Sequence, residues 1–304
     1  MALQQTAHDA CSRRVHCVSK GYLDDPFVRL FARDLTIVNS PLMNRGSWLR
    51  SMAFENMVYR FSQVHGGAPI QVVSLGAGVD TLFFRLRQRG SISFSKFVEI
   101  DLPDLIEEKR GIIHRNHELS SLVADDVYHA VPGDLADANS IASLLQTLTD
   151  PSAPTLLIAE CVFVYIPAPA VLALLTALTQ LFVGDLMLVN YDVIEPNDRF
   201  GSMMIENLKE RGIHLAGITG APTIVSHAER AKGLGFTSVR AVTMKGLYLT
   251  VPRDTQVTLN KLEMIDDWDE WNLVHEHYAF VIAWRGGDGT SASIPQVFIA
   301  PPPS

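Results

Sequence analysis

The sequence predicts an α/β fold, a mostly parallel sheet of seven strands with helices on both faces. Three observations carry that expectation. Short apolar runs alternate with helical patterns from residue 70 to residue 191. These runs are apolar along their length, as strands covered on both faces are. The first of them, Val72-Val73-Ser74-Leu75, ends on Gly76-Ala77-Gly78, and a β-branched run closed by glycines reads as a buried strand and a tight turn.

A second run, Phe97-Val98-Glu99-Ile100, ends on Asp101. An acidic residue about 20 residues past the glycine turn sits at the tip of the second strand and accepts from ribose hydroxyls. The glycine spacing then discriminates between cofactors. A dinucleotide fingerprint needs a third glycine beside the pyrophosphate. That slot is Thr81, and Asp80 puts a negative charge where a pyrophosphate would lie. NAD and FAD are disfavoured. S-adenosylmethionine, with no phosphate and with a sulfonium and an ammonium, suits the site. A plain glycine turn in some other α/β protein is the competing reading.

Residues 1 to about 20 read as a polar helix containing Arg13 and Arg14. Asp25-Pro26 opens a second helix with Phe27, Leu30, Phe31 and Leu35 on its apolar face. Asn39-Ser40-Pro41 breaks the pattern, and Asn44 to Arg50 leads into a helix that stops at Gly66-Gly67. These N-terminal helices are expected to cover the cofactor cleft. Beyond the glycine turn, helix is expected over 80–89, then a strand to Asp101 and helix from Asp104 to Ile113. A third strand, Tyr128 to Val131, ends at Gly133-Asp134-Leu135, and helix follows over 139–148. Strand four is Thr155 to Glu160, helix covers 168–182, and strand five is Leu186 to Tyr191. After that the alternation lapses. Helices at 199–212 and 223–234 form an expected insertion above the carboxyl edge of the sheet. Late strands at Thr237 to Thr243 and His277 to Trp284, with helix at 256–266 between them, close the sheet. The Gly-, Ser- and Pro-rich tail after Gly286 is expected to be mobile. The division is thus one domain over 1–304: a helical lid (1–66), a Rossmann-like cofactor core (67–192), a helical insertion for substrate (193–236), C-terminal strands (237–285) and the tail (286–304).

Composition narrows the function classes. With 25 basic against 33 acidic residues the formal charge is −8, which disfavours a general nucleic-acid or anionic-membrane surface. Cys11, Cys17 and Cys161 show no CxxC spacing, no signal peptide precedes them, and no apolar run has spanning length. The cytoplasm is the expected compartment. His275-Glu276-His277 puts two histidines on one strand face, a candidate metal pair without a third ligand, so they are read as partly exposed strand residues and no metal is expected. Cys161 beside Glu160 is read as a small buried hydrophobe, since no basic partner is visible.

Several blocks together resemble the leucine carboxyl methyltransferase family, which esterifies the C-terminal leucine of protein phosphatase 2A catalytic subunits. They are Asn44-Arg45-Gly46 with Arg50, LGAGVDT (75–81), FVEIDLPDLIEEK (97–109), GDL (133–135), LLIAECVFVY (156–165), NYDVIEPNDRFGSMMIENL (190–208) and the strand Tyr278 to Trp284. The segment from Gly111 to Tyr128 is shorter than the family's usual connection, and the first dozen residues have no match in these blocks. The resemblance implies a class I S-adenosylmethionine-dependent methyltransferase acting as a monomer. Gly76 then lies against the methionyl portion, Asp101 on the ribose, and Asp134 with the Leu135 backbone at the adenine. Glu160 faces the ammonium, Arg50 pairs with the carboxylate through its planar fork, and Arg14 is a further basic cofactor residue. Tyr165, Tyr191 and Arg199, at or beyond the ends of strands four and five, are candidates for orienting the acceptor carboxylate, which needs no general base. Competing readings are a small-molecule carboxyl or hydroxyl methyltransferase and a non-catalytic phosphatase-binding relative. The family's tRNA-modifying relatives, which carry an appended propeller, are disfavoured because this chain has no repeats.

Overall fold

Seven strands hydrogen-bond into one sheet in the computed structural model, which describes residues 2–286 and Val297. They are β1 (Ile70–Leu75), β2 (Phe94–Asp101), β3 (Tyr128–Pro132), β4 (Thr155–Glu160), β5 (Leu186–Val193), β6 (Ser238–Thr243) and β7 (Tyr278–Arg285), in the order β3-β2-β1-β4-β5-β7-β6. The first five pair in parallel, and β7 enters antiparallel between β5 and β6. Strand order reverses between β1 and β4, so the crevice for a ligand opens at their carboxyl ends.

Alternation along each strand feeds two cores. Val72, Leu156 and Ile158 face one way, onto Trp48, Phe54 and Phe61 of the N-terminal helices. Val73, Leu157 and Leu188 face the other, onto Leu145, Leu174 and Leu178. The helices, in order, are α1 (Ala2–Ser19), α2 (Val28–Phe31), α3 (Pro41–Val64), α4 (Leu82–Arg89), α5 (Pro103–Arg115), α6 (His117–Leu122), α7 (Ala138–Leu148), α8 (Ala168–Leu181), α9 (Arg199–Glu210), α10 (Ile224–Gly233), α11 (Met244–Tyr248), α12 (Arg253–Leu262) and α13 (Trp268–Glu276). Among the described residues no helix is long and apolar enough to cross a membrane. The expectation of a mobile tail falls outside the described residues.

Four expectations need correction. The helix opened by Asp25-Pro26 is a single turn, α2, and Leu30 and Leu35 are exposed rather than on an apolar face. Phe27 and Phe31 reach Phe84 at 5.9 and 5.8 Å without further helix, and the Asp25 carboxylate accepts from the Phe27 and Val28 amides. Ser40-Pro41 starts α3 instead of breaking a pattern, with Ser40 as its cap and proline in the first turn. Asn44-Arg45-Gly46 therefore lies inside the helix. Helices α6, α11 and α13 replace expected loop or strand. In α13 the Asp267 side chain accepts from Asp269 and Glu270, and Trp271 stacks on His275, one turn on, at 3.7 Å. His275 thus sits in a helix and His277 caps it, both buried. Neither is a partly exposed strand residue.

Gly217, in the loop after α9, donates to the Val164 carbonyl at 2.8 Å. A Cβ there would press into the carbonyls of Phe163 and Ile166, the first residue of the 3-10 turn Phe163–Tyr165 and the residue that caps it. Backbone cannot move aside cheaply. Gly217→Ala is expected to lower stability by about 1–3 kcal/mol, the range for overpacking, measured as a reduced urea midpoint with unchanged slope.

Candidate functional site

One cleft of about 390 Å³ lies over the carboxyl ends of β1, β2 and β4, and the helices before β1 wall it. Gly76, Asp101, Asp134, Leu135, Glu160, Arg50 and Arg14 all line it, so every cofactor residue expected from the sequence comes to one place. Gly76 has φ +66°, and a Cβ there would collide with the Val162 side chain. Only glycine holds this turn.

The acidic groups at the strand tips are tied down. Asp101 accepts from the Gly78 amide at 2.6 Å and from the Leu102 amide at 2.7 Å. One carboxylate oxygen serves each bond, which leaves lone pairs for a ligand. Burial pushes its carboxyl up, and the two amides oppose that. Asp134 accepts from Ala136 at 2.9 Å. Asp80 pairs with Arg14, and the arrangement holds its carboxyl well below the usual range in spite of burial, Arg14 first among the charges and Arg85 and Lys109 behind it. Its backbone carbonyl accepts from Lys109 at 2.6 Å. Lys109 is fully buried, 2.5 Å from Glu99, and Tyr128 donates to the same carboxylate at 2.6 Å.

Glu160 meets both arginines. Arg50 Nε stands 2.8 Å from its carboxylate and Arg14 3.8 Å. The Arg50 N–H is not aligned on the oxygen, so the contact is an ion pair more than a hydrogen bond. Burial would lower both guanidinium pKa values, but Glu160 for Arg50, and Asp80 with Glu160 for Arg14, keep them raised and charged. Arg50 also lies over the Tyr191 ring at 5.3 Å, and Tyr191 stacks on Tyr278 at 5.1 Å. A paired cation and anion side by side match the carboxylate and ammonium of a zwitterionic amino-acid moiety. Asp80 lines the cleft as a carboxylate beside the glycine turn, which a pyrophosphate would meet as a like charge.

The other candidates divide. Tyr165 lines the cleft, its hydroxyl 3.9 Å from Cys161 Sγ. Tyr191 is buried beneath Arg50 and does not line it. Arg199 is exposed, the first residue of α9, and lies outside the cleft lining. Cys161 adopts φ +53°, an uncommon conformation for a side-chain-bearing residue. It turns the chain out of β4 and brings Tyr165 over the sheet edge. Burial pushes its thiol up to about 12, away from nucleophilic reactivity. Among the described residues no group of three or more His, Cys, Asp or Glu is placed to hold a metal ion.

The sequence places a helical insertion over the cleft but does not show which of its residues line it. Val162, Ile166, Leu208 and Ile213 form an apolar side to the cleft, with Asp9 and Arg211 beside them. The segment 199–212 reads as helix, but nothing in that pattern shows which cation turns toward the cleft. Nor does the sequence single out Asp192, buried on β5, which accepts from the Val193 amide at 3.3 Å and from Val164, in the turn that carries Tyr165.

Comparison with known proteins gives three findings. Residues 2–179 match the family described as Leucine carboxyl methyltransferase, so the N-terminal residues without a match in the sequence blocks fall within the family after all. The chain is 30% identical over 297 residues to the Leucine carboxyl methyltransferase 1 homolog of Arabidopsis thaliana, covering 93% of this chain and 89% of that one. It is 28% identical over 314 residues to tRNA wybutosine-synthesizing protein 4 of Homo sapiens, covering 96% of this chain and 45% of that protein. A crystal structure of a protein described as a methyltransferase, from Thermobifida fusca YX, superposes with TM-score 0.52 at 14% identity over 81% of this chain and 87% of that one. That likeness is one of fold.

Burial drives the Asp192 carboxyl up to about 7, although Arg230 opposes the shift. An unfolded aspartate titrates near 3.9. Between those values the folded chain holds a proton on Asp192 that the unfolded chain has released, so this group's contribution to stability falls as pH rises. Asp192→Asn keeps one accepting oxygen and removes the titration. Its stability should change less than the parent's between pH 5 and pH 7, read from urea midpoints at both pH values.

Proposed function

The chain belongs to the leucine carboxyl methyltransferase family, and from that premise we propose that it esterifies the C-terminal leucine α-carboxylate of a protein phosphatase 2A-type catalytic subunit. It is a methyltransferase, and its methyl donor is S-adenosylmethionine. The observation that carries the reading is the cleft in which Arg50 and Glu160 stand paired beside Gly76 and Asp101. When bound, the cofactor supplies an electrophilic methyl on its sulfonium.

The protein's own residues bind, orient and exclude water. Arg50 takes the methionyl carboxylate and Glu160 the ammonium, with Arg14 completing the charge balance. Asp101 accepts from the ribose, Asp134 accepts from the adenine amino group, and Leu135 contributes backbone. Residues 1–66 act as the lid and 193–236 as the acceptor wall. Tyr165 orients the acceptor, and Tyr191 supports Arg50 from below. Arg199 has no part in the cleft. A carboxylate is already ionised at neutral pH, so alignment and exclusion of water supply most of the acceleration. With its cysteines free among the described residues, the cytoplasm suits the protein. The likeness to a tRNA wybutosine-synthesizing protein supports a second reading, in which the acceptor lies on a tRNA.

Labelled S-adenosylmethionine separates the two. Methyl should pass to a phosphatase catalytic subunit and not to one lacking its last leucine, and mild alkali should release the label as methanol. Label on tRNA alone, or label that survives alkali, overturns the proposal.

Arg50→Lys keeps the charge and loses the two-pronged fork. Cofactor affinity should fall at least about tenfold, roughly 1.4 kcal/mol. The melting temperature without cofactor should stay near the parent's, while the stabilisation by added S-adenosylmethionine shrinks. Parental affinity, measured by titration calorimetry, would remove Arg50 from the site.

A further inference from the structure

A carboxylate acceptor needs a cation near the reacting end of the cleft, and four arginines line that cleft: Arg13, Arg14, Arg50 and Arg211. Arg14 and Arg50 are committed to Asp80 and Glu160 beside the glycine turn. Arg13 donates to the Asn39 side chain at 3.2 Å, toward the segment that enters α3. Arg211 differs from all of them. It follows α9 and lies in the wall with Leu208, Ile213 and Tyr165. Its guanidinium donates to Asp9 of α1 at 2.8 Å, so the bond ties the lid to the acceptor wall.

Resting on the reading above, we propose that Arg211 is the acceptor-carboxylate ligand and that Asp9 occupies it as an internal stand-in until the acceptor arrives. Both partners carry the right chemistry. Asp9 presents a carboxylate inside the same cleft, held also by Gln5 at 2.8 Å, so the guanidinium is already oriented for an anion of that shape. The exchange is cheap. Arg211 is 58% exposed and Asp9 27%, and exposed ion pairs contribute little to stability. Leu208 and Ile213, which line the cleft with Arg211, give the terminal leucine side chain an apolar wall.

The test uses the full chain, S-adenosylmethionine and a phosphatase catalytic subunit. Arg211→Gln should raise the acceptor KM at least tenfold, while cofactor affinity and melting temperature stay near the parent's. Arg211→Lys, which keeps the charge, should recover part of that loss. Asp9→Asn removes the competing anion and should lower the acceptor KM. A merely structural latch predicts the opposite for Asp9→Asn, since a loosened lid would weaken both substrates. A parental acceptor KM in Arg211→Gln overturns the proposal, as does an unchanged or raised KM in Asp9→Asn. If the parent protein itself transfers no methyl to the phosphatase, the reading of the substrate has failed, and that result is distinct from either variant's.

Discussion

The pairing of Glu160 with Arg50 is the constraint on which the rest of the site depends. A parallel sheet ends in a cleft, and carboxylates at strand tips are costly there unless cations meet them. No strand supplies one. Both arginines come from helices that precede the sheet, Arg14 from α1 and Arg50 from α3. The N-terminal helices are thus bound to the sheet by charge as well as by the aromatic core around Phe54 and Phe61. The same four charges, Asp80, Glu160, Arg14 and Arg50, are self-neutral without a ligand and complementary to a zwitterion with one.

A second buried pair holds the glycine turn from below. Lys109 on α5 neutralises Glu99 on β2 and donates to the carbonyl of Asp80. Burial pushes the Glu99 carboxyl up, and Lys109 and Tyr128 pull it back. Their arrangement links the outer strand β3, through Tyr128, to the residue that pairs with Arg14. Such a group is poor as a source of stability, because desolvation offsets most of its attraction. Its value is positional: it fixes where the Asp80 peptide stands, and hence where the lid arginine is drawn.

How much of this was legible in the sequence follows from where each constraint resides. The strand and turn residues were legible because their signals are local. Thr155–Glu160 has the expected bounds, and the glycine spacing with Asp101 pointed to the cofactor class. The helix lid was legible as helix, but its start was not. Ser40-Pro41 serves as either breaker or cap, and only packing decides. The His275 and His277 assignment failed because a short apolar pattern fits strand or helix, and the Asp267 cap and Trp271–His275 stack that settle it were overlooked. Arg199 and Arg211 show the limit most plainly. Both are basic residues at the ends of one helix, and the pattern cannot tell which end faces the cleft.

The ion pairs around the cleft form a gradient of burial, and the gradient separates their roles. Lys109–Glu99 is sealed from solvent, Arg14 and Arg50 are largely enclosed, and in Arg211–Asp9 the guanidinium is mostly exposed. Water screens the last and leaves the first nearly unscreened. Breaking the sealed pair strands a charge in the core. Opening the middle pairs requires a ligand that replaces both charges at once, as a zwitterion does. Opening the outer pair requires only another carboxylate. On the proposed roles, the pairs would yield from the surface inward, the outer one to an acceptor carboxylate and the middle ones only to the zwitterionic end of the cofactor.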